Sequence, residues 1–254
     1  MTDERIKIKS LYKAMRVLEC FNEKQPLSIT EISEKLGMYK SNVFDILSTL
    51  SAMNYVTKNE DSSKYSLGPS LARLGRAAAA SNNLQNIAAP IVNRLVTQTG
   101  ETVYLTIPLG YQVFYLNATY CSPATAGEDI GMMMVNTSEP MHLTSSGKAM
   151  LANMPESFVN DYLSVPLCRE TEYSIVDPAL LREELELVRS RGYAIDEQEN
   201  TIGLRCVGVA IMRNAREVVG GISLSGSISH LTKDKIEPYA KLLRTAAAQI
   251  SANL

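Results

Sequence analysis

The residues best suited to reading another molecule stand close together between positions 40 and 49: Lys40-Ser41-Asn42, Asp45, Ser48 and Thr49. Val43, Leu47 and Leu50 recur among them at helical spacing, so the polar set falls opposite a buried stripe. On a helix that enters the major groove of duplex DNA, Lys40 and Ser41 suit phosphate. Asn42 suits adenine, whose N6 and N7 it can pair bidentately. Asp45 is repelled by phosphate but can accept from cytosine N4. Lys58 and Lys64 flank a polar turn further on and are placed to touch phosphates, with Glu60 and Asp61 at its tip opposing them. Read without a partner, the same face is simply solvated.

A second set of chemically capable residues is dispersed. Cys206, His142 and Asp196 have the types for nucleophilic catalysis, and with Cys121 the types for a divalent metal. No nucleophile elbow or cysteine-protease signature surrounds them, and Cys20, Cys121, Cys168 and Cys206 form no Cys-x-x-Cys. They read as reduced thiols in a cytoplasmic protein, and His142 as a structural histidine. No catalytic residue, resident metal or cofactor is expected. Metal sensing stays open as an alternative, as does a protein-interaction module that never touches DNA.

The elements that position these residues follow from periodicity and punctuation. Leu11, Met15, Leu18 and Phe21 predict a helix over Ser10–Phe21. Ser28-Ile29-Thr30-Glu31 is a capping box opening a short second helix, and Gly37 stops it. A third helix runs from about Lys40 to Met53. Two strand-like pieces, 55–57 and 64–67, flank the turn 59–63. This order is that of a winged helix-turn-helix. The alanine run Ala77–Ala80 before Ser81-Asn82-Asn83 reads as a linker helix ending in a loop. Behind it lie an amphipathic helix over 84–99 with Pro90 inside, and strands over 102–107 and 112–117 split by Pro108-Leu109-Gly110. Helices over 145–154, 156–163 and 177–191, strands over 193–196, 206–212 and 218–225, and a last helix over 233–253 follow. Grouped strands with helices around them predict an α+β domain rather than a doubly wound parallel sheet.

Composition agrees with this division. The chain has 254 residues, 45% hydrophobic and 20% charged, ordinary for a globular protein. The net charge of −2 argues against a nucleic-acid coat or a polybasic membrane binder. It conceals a split: residues 1–80 hold 12 Lys/Arg against 9 Asp/Glu, and residues 81–254 hold 13 against 18. A mildly basic front precedes an acidic back. No apolar run reaches a membrane span, and residues 1–10 lack the apolar core of a signal peptide.

These motifs resemble the IclR family of bacterial transcriptional regulators, from about Ile8 to Ala252. The front carries Ser28–Gly37, Lys40-Ser41-Asn42-Val43, Leu47-Ser48-Thr49-Leu50 and Tyr65-Ser66-Leu67-Gly68. The back carries Pro140-Met141-His142, Ser146-Gly147-Lys148-Ala149, Arg191–Asp196, Gly203–Val207 and Ile222–Gly226. The resemblance implies a winged helix-turn-helix over 1–69, a linker helix over 70–83 and a GAF-like α/β effector-binding domain over 84–254. It implies a homodimer or dimer of dimers on a double-stranded DNA operator, with no membrane partner. It also implies a small-molecule effector, a carboxylate metabolite. Carried over by motif, Asp196, Leu204, Cys206, Ser223 and Ser225 line the effector pocket, with Ser145 and Ser146 before Gly147-Lys148. Serine hydroxyls and free amides in the Ser146-Gly147-Lys148 turn suit a carboxylate, and Leu204 with Met132-Met133-Met134 an apolar wall.

The chain departs from the family where it matters for specificity. Asp45 stands where arginine is common, Asn42 where threonine is, and Tyr39 where serine or proline is, so no relative's operator can be borrowed. Gly208-Val209 replaces Ala-Ala or Ala-Pro, and Gly220-Gly221 replaces Ala-Ala. These smaller residues are expected to enlarge or loosen the pocket.

Overall fold

The computed structural model describes residues 6–22, 24–80, 83–120, 134–214 and 216–254. The chain divides into two compact units, residues 1–82 and 83–254.

In the front unit, helices α1 (Lys9–Glu19), α2 (Ile29–Leu36) and α3 (Lys40–Ala52) precede an antiparallel hairpin of β1 (Val56–Lys58) and β2 (Tyr65–Leu67). The first helix is shorter than its periodicity predicts, because a 3-10 turn takes over at Cys20–Asn22. The α2 capping box is complete: Glu31 N donates to Ser28 Oγ at 3.2 Å, and Ser28 N to Glu31 Oε2 at 2.8 Å. Gly37 then turns the chain at φ 63°, left-handed backbone that glycine adopts without steric cost. Val17, Phe21, Ile32, Val43, Leu47, Val56 and Tyr65 form the core. Leu11 and Met15 are not in it; they are 57% and 50% exposed and, with Ile8, stripe the outside of α1. Periodicity marks an apolar face but not what covers it. Pro69–Ala80 is helical, α4, with its described side chains exposed from Ala72 to Ala78.

The back unit is built on a six-stranded sheet. Its strands are β3 (Thr102–Leu109), β4 (Gln112–Thr119), β5 (Ser138–Pro140), β6 (Ala194–Glu197), β7 (Leu204–Arg213) and β8 (Glu217–Ser227), in the order β5-β4-β3-β8-β7-β6. Every pairing is antiparallel, so the domain is α+β in the expected sense. Helix α5 (Asn83–Thr99) and the last helix, Ile236–Ser251, cover one face, burying Val103, Leu105, Val207, Val209, Ile222 and Leu224. Helices α6 (Ser145–Ala152), α7 (Glu156–Leu163) and α8 (Pro178–Arg191) form the second core with Tyr104, Val113 and Tyr115. The last helix is therefore α9. Two-residue alternation along the strands sends Cys206, Gly208, Ser223 and Ser225 toward α6.

Two local readings change. The hairpin turn after β3 lies at Gly110, φ 59°, while Pro108 and Leu109 are still strand. Pro108 is tolerated because β8 pairs β3 only over Thr102–Thr106, leaving β4 alone beside it. Strand β5 has no sequence signature; it is a three-residue edge ending in proline.

The glycines do not loosen the pocket. A Cβ on Gly208 would lie 2.5 Å from Ser145 C and Ser146 N, and one on Gly221 3.1 Å from Ser146 Cβ. One on Gly220 would lie 2.6 Å from Thr106 O. Bare backbone at 208 and 221 lets the start of α6 sit directly on β7 and β8. Gly208→Ala is therefore expected to lower stability by about 1–3 kcal/mol, the cost of overpacking. An unchanged denaturant midpoint would show that α6 has room to move.

Candidate functional site

Seven residues spread over 81 positions of chain, Ser145 to Ser225, meet around one pocket. Ser145 and Ser146 come from the first turn of α6, Asp196 from β6, Leu204 and Cys206 from β7, and Ser223 and Ser225 from β8. The sheet order brings them together, with Asp196 opposite Cys206 and Cys206 opposite Ser225. Tyr104, Tyr115, Thr144, Asn200 and Thr201 complete the lining, residues that sequence reasoning missed. The two tyrosines pack edge to face at 5.3 Å. In sequence they look like any inward residue of an alternating strand. Met134 contributes to the wall, whereas Met132 and Met133 lie outside the described residues.

The cavity is small, about 40 Å³, against the ~10–15 Å³ that one water requires. Among the described residues no Lys, Arg or His lines it. The hydroxyls of Ser145, Ser146 and Ser223, all buried, have no hydrogen-bond partner among the described residues. The α6 cap uses two amides of the expected anion-binding turn: Gly147 N donates to Thr144 Oγ1 at 3.0 Å and Lys148 N to Thr144 O at 2.9 Å. Ser145 and Ser146 are left as the positions whose amides the cap does not take.

Asp196 accepts from Glu199 N at 2.7 Å. Burial, with the Glu199 charge adding to it and Lys148 opposing, pushes its carboxyl up to about 7. Beside it, Lys148 pairs with Glu199, their side chains 1% and 6% exposed. The second oxygen of Glu199 is buried without a partner among the described residues. The Cys206 thiol donates to Ser225 Oγ at 3.2 Å, and burial pushes it well above the usual thiol range. A thiol held protonated in this way is a poor nucleophile.

His142 lies outside this pocket. Its Nδ1 is 2.7 Å from Tyr162 Oη and its Nε2 2.9 Å from the Cys168 carbonyl. A carbonyl only accepts, so Nε2 carries the proton and Nδ1 accepts from the tyrosine. Burial lowers the pKa of the ring. The imagined Cys206–His142–Asp196 constellation does not form. Among the described residues no three His, Cys, Asp or Glu side chains are grouped for a metal, and Cys121 is outside them.

In the front unit, Lys40, Ser41, Asn42, Asp45 and Ser48 are all exposed on α3, while Val43 and Leu47 are fully buried. Tyr39 at 81% and Phe44 at 52% exposure stand among them; sequence offers no way to tell such aromatics from core. The wing lysines are less free than their positions imply. Lys58 pairs with Glu60 at 3.3 Å and Lys64 with Glu31 at 3.6 Å.

A trihelical unit with a hairpin wing and a polar third-helix face, joined to an antiparallel α/β domain with a small hydroxyl-lined pocket, is the build of a DNA-binding transcriptional regulator. The family model for the bacterial transcriptional regulator IclR C-terminal domain matches residues 76–252, and that for the IclR helix-turn-helix domain matches residues 10–60. The transcriptional regulator BhcR of Paracoccus denitrificans is 32% identical, covering 96% of this chain and 86% of that protein. The Thermotoga maritima IclR crystal structure is 32% identical, covers 97% and 98% of the two chains and superposes with a TM-score of 0.70. An IclR homologue from Microbacterium hydrocarbonoxydans, solved with 4-hydroxybenzoate, is 23% identical with a TM-score of 0.80 over 96% and 98% of the chains, a likeness of fold. The chain belongs to the IclR family of transcriptional regulators, not to an enzyme family. Among its described residues no helix is long and apolar enough to cross a membrane.

Proposed function

We propose that this protein is a ligand-controlled regulator in which residues 1–69 read a DNA operator, 70–83 connect, and 84–254 bind a small carboxylate effector. Ser145, Ser146, Asp196, Leu204, Cys206, Ser223 and Ser225 hold the effector. Lys40, Ser41, Asn42, Asp45 and Ser48 face the DNA. The observation that carries the reading is the pocket itself: buried serine hydroxyls from separate elements open into one cavity without partners. Hydroxyls that face a cavity are free to bond a ligand or water there. The α6 N-terminus adds a field that favours an anion. The same fold in the Microbacterium protein was solved with a carboxylate, and the small cavity here suits a shorter one. The exposed Ile8, Leu11 and Met15 stripe is the kind of face a second copy covers, which supports a homodimer or dimer of dimers.

Control follows from linkage: whatever factor the effector imposes on DNA affinity, DNA imposes on effector affinity. The test is calorimetric titration of short 2-oxo, 2-hydroxy and aromatic acids, with and without a duplex selected by the protein from random sequence. Ser223→Ala is expected to weaken the acid that binds about tenfold, leaving DNA affinity in its absence unchanged. Asn42→Ala is expected to lose roughly 1–3 kcal/mol of base discrimination. Equal acid affinity with and without DNA would refute the coupling.

A further inference from the structure

The cations of the front unit are not distributed as a wing-anchored reader requires. Lys58 and Lys64 are held by Glu60 and Glu31. Opposite the first turn of α3 lies an open groove, one wall of which is Lys9, Tyr12, Lys13 and Arg16 of α1. The other wall runs from Lys35 to Tyr39 and ends at Asn42. Among the described residues no Asp or Glu lines it. Lys9 and Lys13 stand one helical turn apart, both exposed, and neither pairs with a carboxylate among the described residues. Arg16 is tethered by Tyr12 Oη at 3.4 Å and Glu19 at 3.3 Å, which holds its guanidinium on this wall.

We propose that this α1 groove, rather than the wing, is the main phosphate-binding surface of the protein, taking the DNA backbone strand beside the bases that α3 faces. The inference rests on α3 being the reading helix, since Asn42 is the residue the groove shares with the polar face. A cationic channel that ends at a base-reading side chain is where a backbone must run if that side chain is to reach an edge. Phosphate contacts of this kind act without regard to sequence and release counterions. The site also accounts for the mild net charge: the cations that matter are concentrated on one helix face, where Lys9 and Lys13 pair with no carboxylate among the described residues and Arg16 is held by Glu19.

The test is fluorescence anisotropy of the full-length protein on a mixed-sequence duplex across a salt series. Each phosphate contact contributes roughly 0.9 to the slope of log affinity against log salt. K9Q/K13Q is expected to flatten that slope by about 2 and to weaken binding about tenfold or more at moderate salt, with an unchanged melting temperature. K58Q/K64Q is expected to change the slope by less than half as much. An unaltered slope in K9Q/K13Q, or an equal loss in the wing pair, overturns the proposal. Failure of the α3 reading looks different: Asn42→Ala would then leave base discrimination on the selected duplex intact, whatever the α1 variant does.

Discussion

Lys148→Met is expected to lower the stability of this protein by about 3–5 kcal/mol at neutral pH, the cost of stranding one member of a buried ion pair. Lys148 is 1% exposed and its partner Glu199 6%. Glu199 already has one oxygen without a partner among the described residues. Burial raises its carboxyl pKa, and Lys148 is the largest influence opposing that rise. Without the lysine the carboxyl rises further. A folded-state pKa above the unfolded one gives stability that is present at low pH and lost as pH rises through the folded value. The deficit should therefore be small in mild acid and largest in mild alkali. Adding Glu199→Gln removes the stranded charge and should recover most of the loss at high pH. Urea midpoints of the wild type, the single and the double variant across pH decide it. A single-variant loss below about 1 kcal/mol would place the pair in solvent.

Much of the fold was legible because its signals are local. The Ser28–Glu31 box, Gly37, Asp177-Pro178 and Gly192 each mark a helix end by their own chemistry, and alternation along β7 and β8 marks two faces. What was not legible depends on contacts far apart in sequence. Leu11 and Met15 obey the same period as Leu18 and Phe21, yet only the latter meet the core. Lys148 and Glu199, 51 positions apart, carry no motif that predicts burial. Lysine in a Ser-Gly-Lys helix start reads as surface. The pocket residues were reached through family motifs, not through spacing, and Tyr104 and Tyr115 were hidden among ordinary strand aromatics. The glycines at 208 and 221 were misread because a missing side chain looks like space. Here the space is filled by the backbone of α6.

Asp196→Asn should act in the opposite direction, stabilising the protein above neutral pH. The Asp196 carboxyl rises from 3.8 to about 7 on folding, mainly through burial, worth roughly 4 kcal/mol at about 1.36 per unit. The folded state thus binds a proton that the unfolded state releases. The Asp196 contribution to stability is greatest below the unfolded pKa near 3.8, declines as pH rises, and carries the full ionisation cost above about 7. Asparagine cannot ionise, and its Oδ1 can keep the Glu199 N–H bond. The two proteins should match in acid and diverge upward through neutrality. The same residue governs the proposed effector. Around Asp196 stand Glu199 after β6, Lys148 on α6, Cys206 and Ser225 on the adjacent strands and Tyr115 on β4. The one cation among them is already committed to Glu199. A carboxylate entering this pocket meets Asp196 with no spare counter-charge, so one proton must be taken up on binding. Wild-type affinity for a carboxylate should fall by about tenfold per pH unit above the Asp196 pKa, and that fall should be absent in Asp196→Asn. Titration in buffers of different ionisation enthalpy reads the proton directly. Parallel wild-type and variant stability curves from acid to alkali, with no proton uptake on binding, would show that Asp196 is ionised throughout and that its charge is met by a group outside this cluster.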